Sequence, residues 1–295
     1  MFALGITRRR FVPLRYALDA LRTAAYLILR RPRAVIVMHP PIVPSVLVWA
    51  YHATTGAPFV LDSHNSAFGF EGDTLSRRTL GLHAWLARRA RCVLVTGDEL
   101  ASVVEGWGGH ALPVHEAPPQ WSVPPARPLP ARPCVLVPGR MASDDPVSEV
   151  LTAARLLAEA DVVVTGDRHR APAGSLDGPP PNLSLPGFLP SERYVEAIAA
   201  ADVVVSLSLD HFSVMRTAYE AVYAGRPLVI SDWPALAEVF PHAVRVANTA
   251  DEIARGVREA LRRHDELRAT AGDARALALE RWQRQRDAVA AALDL

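Results

Sequence analysis

Short apolar runs rich in valine recur along the chain, and stretches with apolar positions at helical spacing lie between them. AVIVM (34–38), FVLD (59–62) and CVLVT (92–96) are runs of strand length. Each leads to a helical pattern: through Tyr51, around Leu75 to Arg91, and from Asp98. An apolar run without polar alternation predicts a strand buried on both faces, and strands alternating with helices predict a parallel sheet with crossover connections. The pattern then restarts. CVLVP (134–138), DVVVT (161–165), LSL (183–185), DVVVSLS (202–208), LVIS (228–231) and VRVA (244–247) predict a second set of strands, most of them separated by helices. From about Asp251 to Leu293 an Arg/Ala/Leu-rich stretch predicts a long helix broken near Gly272.

Between the two sets lies Ala117 to Pro133, a stretch too dense in proline for any packed element and therefore an extended linker. A length of 295 residues suits two domains. The expected division is 1–128 (with the linker at 117–133), 134–275, and a terminal helix over 276–295 that packs back on the first domain. The fold class is α/β, two Rossmann-like domains facing across a cleft. Open parallel sheets bind ligands beyond the carboxyl ends of their strands, so that cleft is the expected site.

Composition narrows the chemistry. Formal net charge is +1, without the basic surplus of a nucleic-acid binder. All 32 basic residues are arginine. With no lysine there is no Schiff base and no Walker lysine, so any phosphate is held by Arg, backbone N–H groups or helix ends. Cys92 and Cys134 each sit in an apolar run and read as core residues, with no metal spacing and no disulfide framework; a reducing cytoplasm fits. There is no GxGxxG after a strand, no GxSxG and no HExxH, and Gly106, Gly108 and Gly109 match no fingerprint. No Asp-x-Asp pair occurs, so no metal is expected. The first 33 residues hold eight Arg and one acid, Asp19. Their apolar stretch is too short for a secretory core, and Ala34 to Ala50 carries His39 and three prolines, so it reads as strand, turn and helix and not as a span. A basic, partly apolar helix there suits peripheral contact with an anionic membrane face.

The chemistry concentrates in Leu207 to Asp232, LSLDHFSVMRTAYEAVYAGRPLVISD. A strand ends near Ser208, and Asp210-His211-Phe212 form a polar loop. Ser213 is the expected N-cap of a helix over Val214 to Ala224, closed by Gly225 in a left-handed cap and by Arg226-Pro227. Free N–H groups of Ser213, Val214 and Met215 would then face an anion. Glu220 lies about two turns along. Glu220-Ala-Val-Tyr-Ala-Gly-Arg-Pro resembles the corresponding segment of family-4 glycosyltransferases, which have the GT-B fold. The resemblance implies that Glu220 contacts the ribose of a nucleotide and that the amides at 213–215 bind its diphosphate. The family's first Glu falls here at Phe212, which leaves Asp210 or His211 to substitute. Pro138-Gly139-Arg140 resembles the family's Gly-Arg, whose Arg pairs the leaving diphosphate. The family's following Lys corresponds to Asp145, which with Pro146 reads as a helix start, Asp145 as N-cap and Pro146 at N1. Arg216 or Arg168 is then the compensating cation. Thr165-Gly166-Asp167 and Asn182 to Leu189, with Phe188 after Gly187, resemble the strand-end loops that line the nucleotide site.

In the first half, Asp62-Ser63-His64-Asn65 and His39-Pro40-Pro41 end strands. His64 resembles a family His near the reacting sugar, with Asp62 orienting it. Family members also begin with a strand and a glycine-rich loop that Met1 to Arg10 do not supply, so the N-terminal domain is expected to be incomplete. The resemblance implies transfer of a sugar from a nucleotide-sugar to a hydroxyl acceptor, with retention and without cofactor, as in cell-surface polysaccharide or glycolipid synthesis. The acceptor is expected to be lipid-linked, and the protein bacterial and cytoplasmic or peripheral at the inner membrane face. Two other readings share the fold: a degenerate protein that binds nucleotide or a partner without catalysis, and a sugar-nucleotide epimerase.

Overall fold

The computed structural model describes residues 12–69, 74–121, 129–172, 174, 176 and 178–293. Met1 to Arg10 and the middle of the proline-dense stretch, residues 122–128, lie outside the described residues. The chain divides into two units, Met1–His115 with Arg284–Leu295, and Glu116–Gln283.

The first unit begins with helix α1 (Val12–Arg30) and continues as β1 (Val35–His39), α2 (Ile42–Thr55), β2 (Phe59–Ser63), a 3₁₀ turn (Asn65–Phe68), α3 (Thr74–Ala87), β3 (Cys92–Val95), α4 (Asp98–Gly106) and β4 (Ala111–Pro113). The strands form a parallel sheet in the order β1-β2-β3-β4. Val60 pairs with Ile36 on one side and Cys92 on the other, so these three share a face. Val60 and Cys92 are buried there with Leu293, and Val289 and Ala292 pack beside them. On the other face His39 is level with Ser63, and both are buried.

The second unit contains β5 (Cys134–Val137), α5 (Val147–Leu156), β6 (Asp161–Thr165), β7 (Leu183–Gly187), α6 (Ser191–Ala200), β8 (Val203–Ser206), α7 (Arg216–Tyr223), β9 (Leu228–Ser231), α8 (Pro234–Val239), β10 (Val244–Val246), α9 (Ala250–Arg262) and the long α10 (His264–Ala292), whose last turns belong to the first unit. Its sheet runs β10-β9-β8-β5-β6-β7, every pair parallel. The valine runs explain the burial, because successive side chains enter opposite layers. Val135, Val137, Val203 and Val205 meet Val150 of α5 and Ile253 and Val257 of α9. Leu136, Val204 and Ile230 meet Ile198 of α6, Ala218 and Tyr219 of α7 and Leu236 of α8.

The order has one functional consequence. From β5 the chain builds outward through β6 and β7, then returns to the other side of β5 and builds outward through β8, β9 and β10. The loops after β5 and β8 therefore leave in opposite directions, and the reversal leaves a crevice at their carboxyl ends.

Helix boundaries differ from expectation at both ends of this unit. The terminal helical stretch breaks at Arg263, between α9 and α10, and Gly272 lies inside α10. Nothing stands within 4 Å of a Cβ at Gly272, so packing neither requires nor penalises a break there. Packing decides instead at the end of α9, whose Ile253, Ala254, Val257 and Ala260 are fixed in the core before Leu267 enters it from α10. The helix after Asp145 starts one residue later than expected, with Pro146 at the cap position and Val147 first.

Candidate active site

Three loops are stitched together at the carboxyl ends of β5, β6 and β7. The Thr165 hydroxyl accepts from the Gly139 N–H at 3.3 Å. Gly166 N–H donates to the Gly187 carbonyl at 3.0 Å, and Asp167 N–H to the Arg140 carbonyl at 3.4 Å. Gly166 has φ +130°, and a Cβ there would stand 2.9 Å from both the Arg140 carbonyl carbon and the Gly139 oxygen. Glycine is required on both counts.

Asp145 is not an N-cap. Its Oδ2 accepts from the main-chain N–H groups of Arg140 (3.1 Å) and Ala142 (3.0 Å), and no side chain caps α5. The reason is local. Asp145 N–H donates to the Ala142 carbonyl, folding the loop back so that its carboxylate faces the preceding amides and not those of the helix. The Arg140 guanidinium is exposed and pairs with Asp144 at 2.7 Å. Gly139, Arg140, Thr165 and Gly166 are thus brought together by these loop bonds. Arg168 is exposed in a single 3₁₀ turn behind Asp167, which accepts from His169 N–H.

Across the reversal, Leu209 N–H donates to the Asp144 carbonyl at 2.8 Å, tying the loop after β8 to the loop after β5. Ser213 is not an N-cap either: α7 starts at Arg216, with Met215 in extended conformation at the cap position and no side-chain bond there. Asp210 makes the difference. Its Oδ1 accepts from Phe212 N–H (2.9 Å) and its carbonyl from Ser213 N–H (3.2 Å), a closed turn that delays the helix. The Ser213 amide is therefore engaged, whereas Val214 and Met215 lead directly into the helix start. Asp210 acts here as a turn former.

A polar hub at this end was not foreseen. The Ser208 carbonyl accepts from Trp233 Nε1 (2.8 Å), Asn248 Nδ2 (2.8 Å) and the Ser231 hydroxyl (3.2 Å). Ser231 also donates to Asn248 Oδ1 at 2.7 Å, and His211 stacks on Trp233 with ring centroids 3.9 Å apart. Ser208, Ser231 and Asn248 all stand at or just past strand ends, which was the available signal. Their convergence depends on the neighbour order of β8, β9 and β10.

Glu220 is 7% exposed, and its two oxygens are taken separately. Tyr194 of α6 donates to Oε2 at 2.6 Å, and Arg216, one turn earlier, donates from Nε to Oε1 at 3.0 Å. Burial and the Glu220 carboxylate push the Tyr194 phenol far above its ordinary range, so it stays protonated as the donor. The helix end is as expected: Gly225 has φ +65°, its N–H reaches the Val222 carbonyl, and Arg226 N–H reaches that of Ala221, a Schellman closure. Phe188 follows Gly187 (φ +83°) and is 81% exposed.

In the first unit His64 is half-exposed, its Nε2 3.7 Å from Asp62 Oδ2. His39, by contrast, is buried and stacks on buried His83 with centroids 4.3 Å apart. His39 Nδ1 meets the Ser45 hydroxyl at 3.3 Å. His83 Nδ1 meets the Ala67 carbonyl, so it carries the proton, and Nε2 accepts from the Ser63 hydroxyl at 2.9 Å. Desolvation pushes His39 down to about 4, and desolvation with the neighbouring His39 pushes His83 down to about 3. Both are neutral scaffold groups; His64 is the histidine of this pair of strand ends that solvent reaches.

Two Rossmann-like parallel sheets, the second with a glycine-arginine loop at its strand reversal, make up the GT-B fold. The match to known proteins agrees. Residues 147–291 match the family described as glycosyl transferase-like. Sucrose-phosphate synthase from Thermosynechococcus elongatus superposes with a TM-score of 0.74 at 18% identity, over 98% of this chain and 82% of that one. A UDP-forming α,α-trehalose-phosphate synthase from Burkholderia xenovorans gives 0.71 at 15%, over 98% and 80%. HepE of Anabaena, in complex with UDP and glucose, gives 0.67 at 15%, over 95% and 81%. No curated protein sequence matches this chain.

Proposed function

We propose that this glycosyltransferase moves a hexosyl group from a uridine diphosphate sugar to a hydroxyl acceptor, with retention and without a metal ion. The observation that carries the reading is the stitched loop set at the strand reversal, which contains Arg140 and is tied to the loop after β8 by Leu209 N–H on the Asp144 carbonyl. Uridine is supported by the UDP held by HepE and the UDP formed by the trehalose-phosphate synthase.

Breaking the anomeric C–O bond puts negative charge on the departing diphosphate. Arg140 and the amides at the start of α7 answer that charge, each preorganised by backbone that does not have to move. Arg140 leaves Asp144 to do so, because an exposed pair of this kind is worth only about 0–1 kcal/mol and a diphosphate carries more charge. Each Glu220 oxygen keeps a second lone pair after receiving Tyr194 or Arg216, and these accept the ribose hydroxyls. Phe188 supplies an open aromatic face for the base. His211, fixed on Trp233, takes the place of the family's missing carboxylate beside the donor sugar. His64 serves the acceptor side. The acceptor is presented at a membrane surface, with the protein peripheral to the cytoplasmic face.

A thermal-shift series with uridine, guanosine and adenosine diphosphates and their sugars tests the donor. A ligand at a hundred times its Kd stabilises by about 2.7 kcal/mol. The uridine compounds should raise the melting point and the others should not. Arg140→Ala should cut donor turnover about a hundredfold. Wild-type turnover in that variant would place the anion site elsewhere.

A further inference from the structure

Helix α1 is apolar on its outer side. It buries Leu27, yet Leu21, Ala25, Ile28 and Leu29, spaced i, i+4, i+7 and i+8, are all exposed, Leu21 at 67%, Ile28 at 65% and Leu29 at 79%. Scattered exposed leucines are ordinary, but four apolar positions in register form a stripe.

Charge along this part of the sequence is one-sided. Residues 1–33 hold eight arginines and one acid, whereas the remaining 262 residues hold 24 arginines and 30 acids. The one acid, Asp19, pairs with Arg22 at 3.7 Å. Among the described residues no carboxylate stands at ion-pair distance from Arg31 or Arg33.

The stripe runs into a pocket of about 650 Å³. Ile28 lines it together with Arg31, Arg33 and, from α2, Tyr51, Thr54 and Thr55. Helices α1 and α2 both end here, and each contributes about half a negative charge. Two full guanidinium charges exceed that, so the pocket is net positive. It lies where β1 and β2 begin, next to Pro58.

We propose that α1 and this pocket seat the protein on an anionic phospholipid bilayer. The helix lies in the interface plane with Leu21, Ile28 and Leu29 among the acyl chains, and Arg31 and Arg33 take a lipid phosphate. No helix among the described residues is long and apolar enough to cross a membrane, so the helix lies on the bilayer and does not span it. The surface deepens the reading of a membrane-side acceptor and rests on it for its purpose. Its test is blind to sugar transfer, so either can fail alone.

The full chain is sedimented with phosphatidylcholine vesicles, with and without phosphatidylglycerol, at low and high salt. Binding is expected only with phosphatidylglycerol and should weaken with salt. R31S/R33S should lower the affinity on the order of 30-fold, about fivefold for each arginine. I28E/L29E should abolish binding at any salt, and L21S/L29S should weaken it if the glutamates prevent folding. All variants should keep the wild-type melting point and its shift with UDP. Equal binding to phosphatidylcholine alone, or variants that bind like the wild type, overturns the proposal. So does a dimer, seen by light scattering without vesicle binding, that the stripe variants dissolve, because the stripe then belongs to a second copy.

Discussion

The carboxylate of Asp145 holds the main-chain N–H of Arg140 at 3.1 Å, while the neighbouring Asp144 holds the Arg140 side chain at 2.7 Å. One acid shapes the loop and the other only occupies its guanidinium. The two therefore have opposite expected effects on nucleotide binding.

Asp145→Lys puts a cation where related enzymes have one, and it should nonetheless impair the protein. Two loop amides, Arg140 and Ala142, lose their acceptor. The expected loss is about 1–3 kcal/mol in stability, with weaker UDP binding. Asp144→Ala should cost less than about 1 kcal/mol and tighten UDP binding, since it frees Arg140. Thermal melts and UDP titration decide; tighter binding in Asp145→Lys would show that the loop does not depend on Asp145.

Glu220 and Tyr194 form a coupled pair. Tyr194→Phe leaves a buried carboxylate oxygen without its donor and should cost about 1–3 kcal/mol. In a Glu220→Gln background the cost should be smaller, because the carboxamide oxygen can turn to Arg216. A double-mutant cycle by chemical denaturation measures the difference, and additive costs would exclude the coupling. Glu220→Gln alone should weaken nucleotide binding more than it weakens the fold.

Gly166→Ala should damage the site through the backbone. Its Cβ would meet main-chain atoms of Gly139 and Arg140 at 2.9 Å, so the Arg140 loop must shift. A loss of about 1–3 kcal/mol and a fall in donor turnover are expected. Gly81→Ala is the contrast: it lies in α3 with nothing within 4 Å, and it should stabilise by up to about 1 kcal/mol. Melting curves of the two variants check both signs.

Acid should destabilise the first unit before its carboxylates titrate. In the folded chain His39 and His83 take protons only near pH 4 and 3. In the unfolded chain both do so near pH 6.5. Below about 6.5 the unfolded state therefore binds more protons, and stability falls with pH down to about 3. Above 6.5 neither residue contributes a slope. Chemical denaturation between pH 4 and 7 should show the loss, and His83→Gln should flatten it. An unchanged slope in that variant would mean that other groups carry it.

Much of this was written into the chain. Continuous valine runs can only be strands buried on both faces, and Gly225-Arg226-Pro227 can only end a helix, because these are short-range matters of solvation and backbone sterics. The glycine of Thr165-Gly166-Asp167 and the arginine of Gly139-Arg140 were singled out by resemblance to family-4 glycosyltransferases instead. Tertiary structure decided what side chains with several partners do. Asp145 chose loop amides over a helix end, Asp210 closed a turn and displaced Ser213 from the cap, and His39 was drawn into a buried stack with His83. Each of these groups has nearly equal local options worth about 1 kcal/mol, and the choice falls to neighbours brought close by strand order, which no local pattern contains.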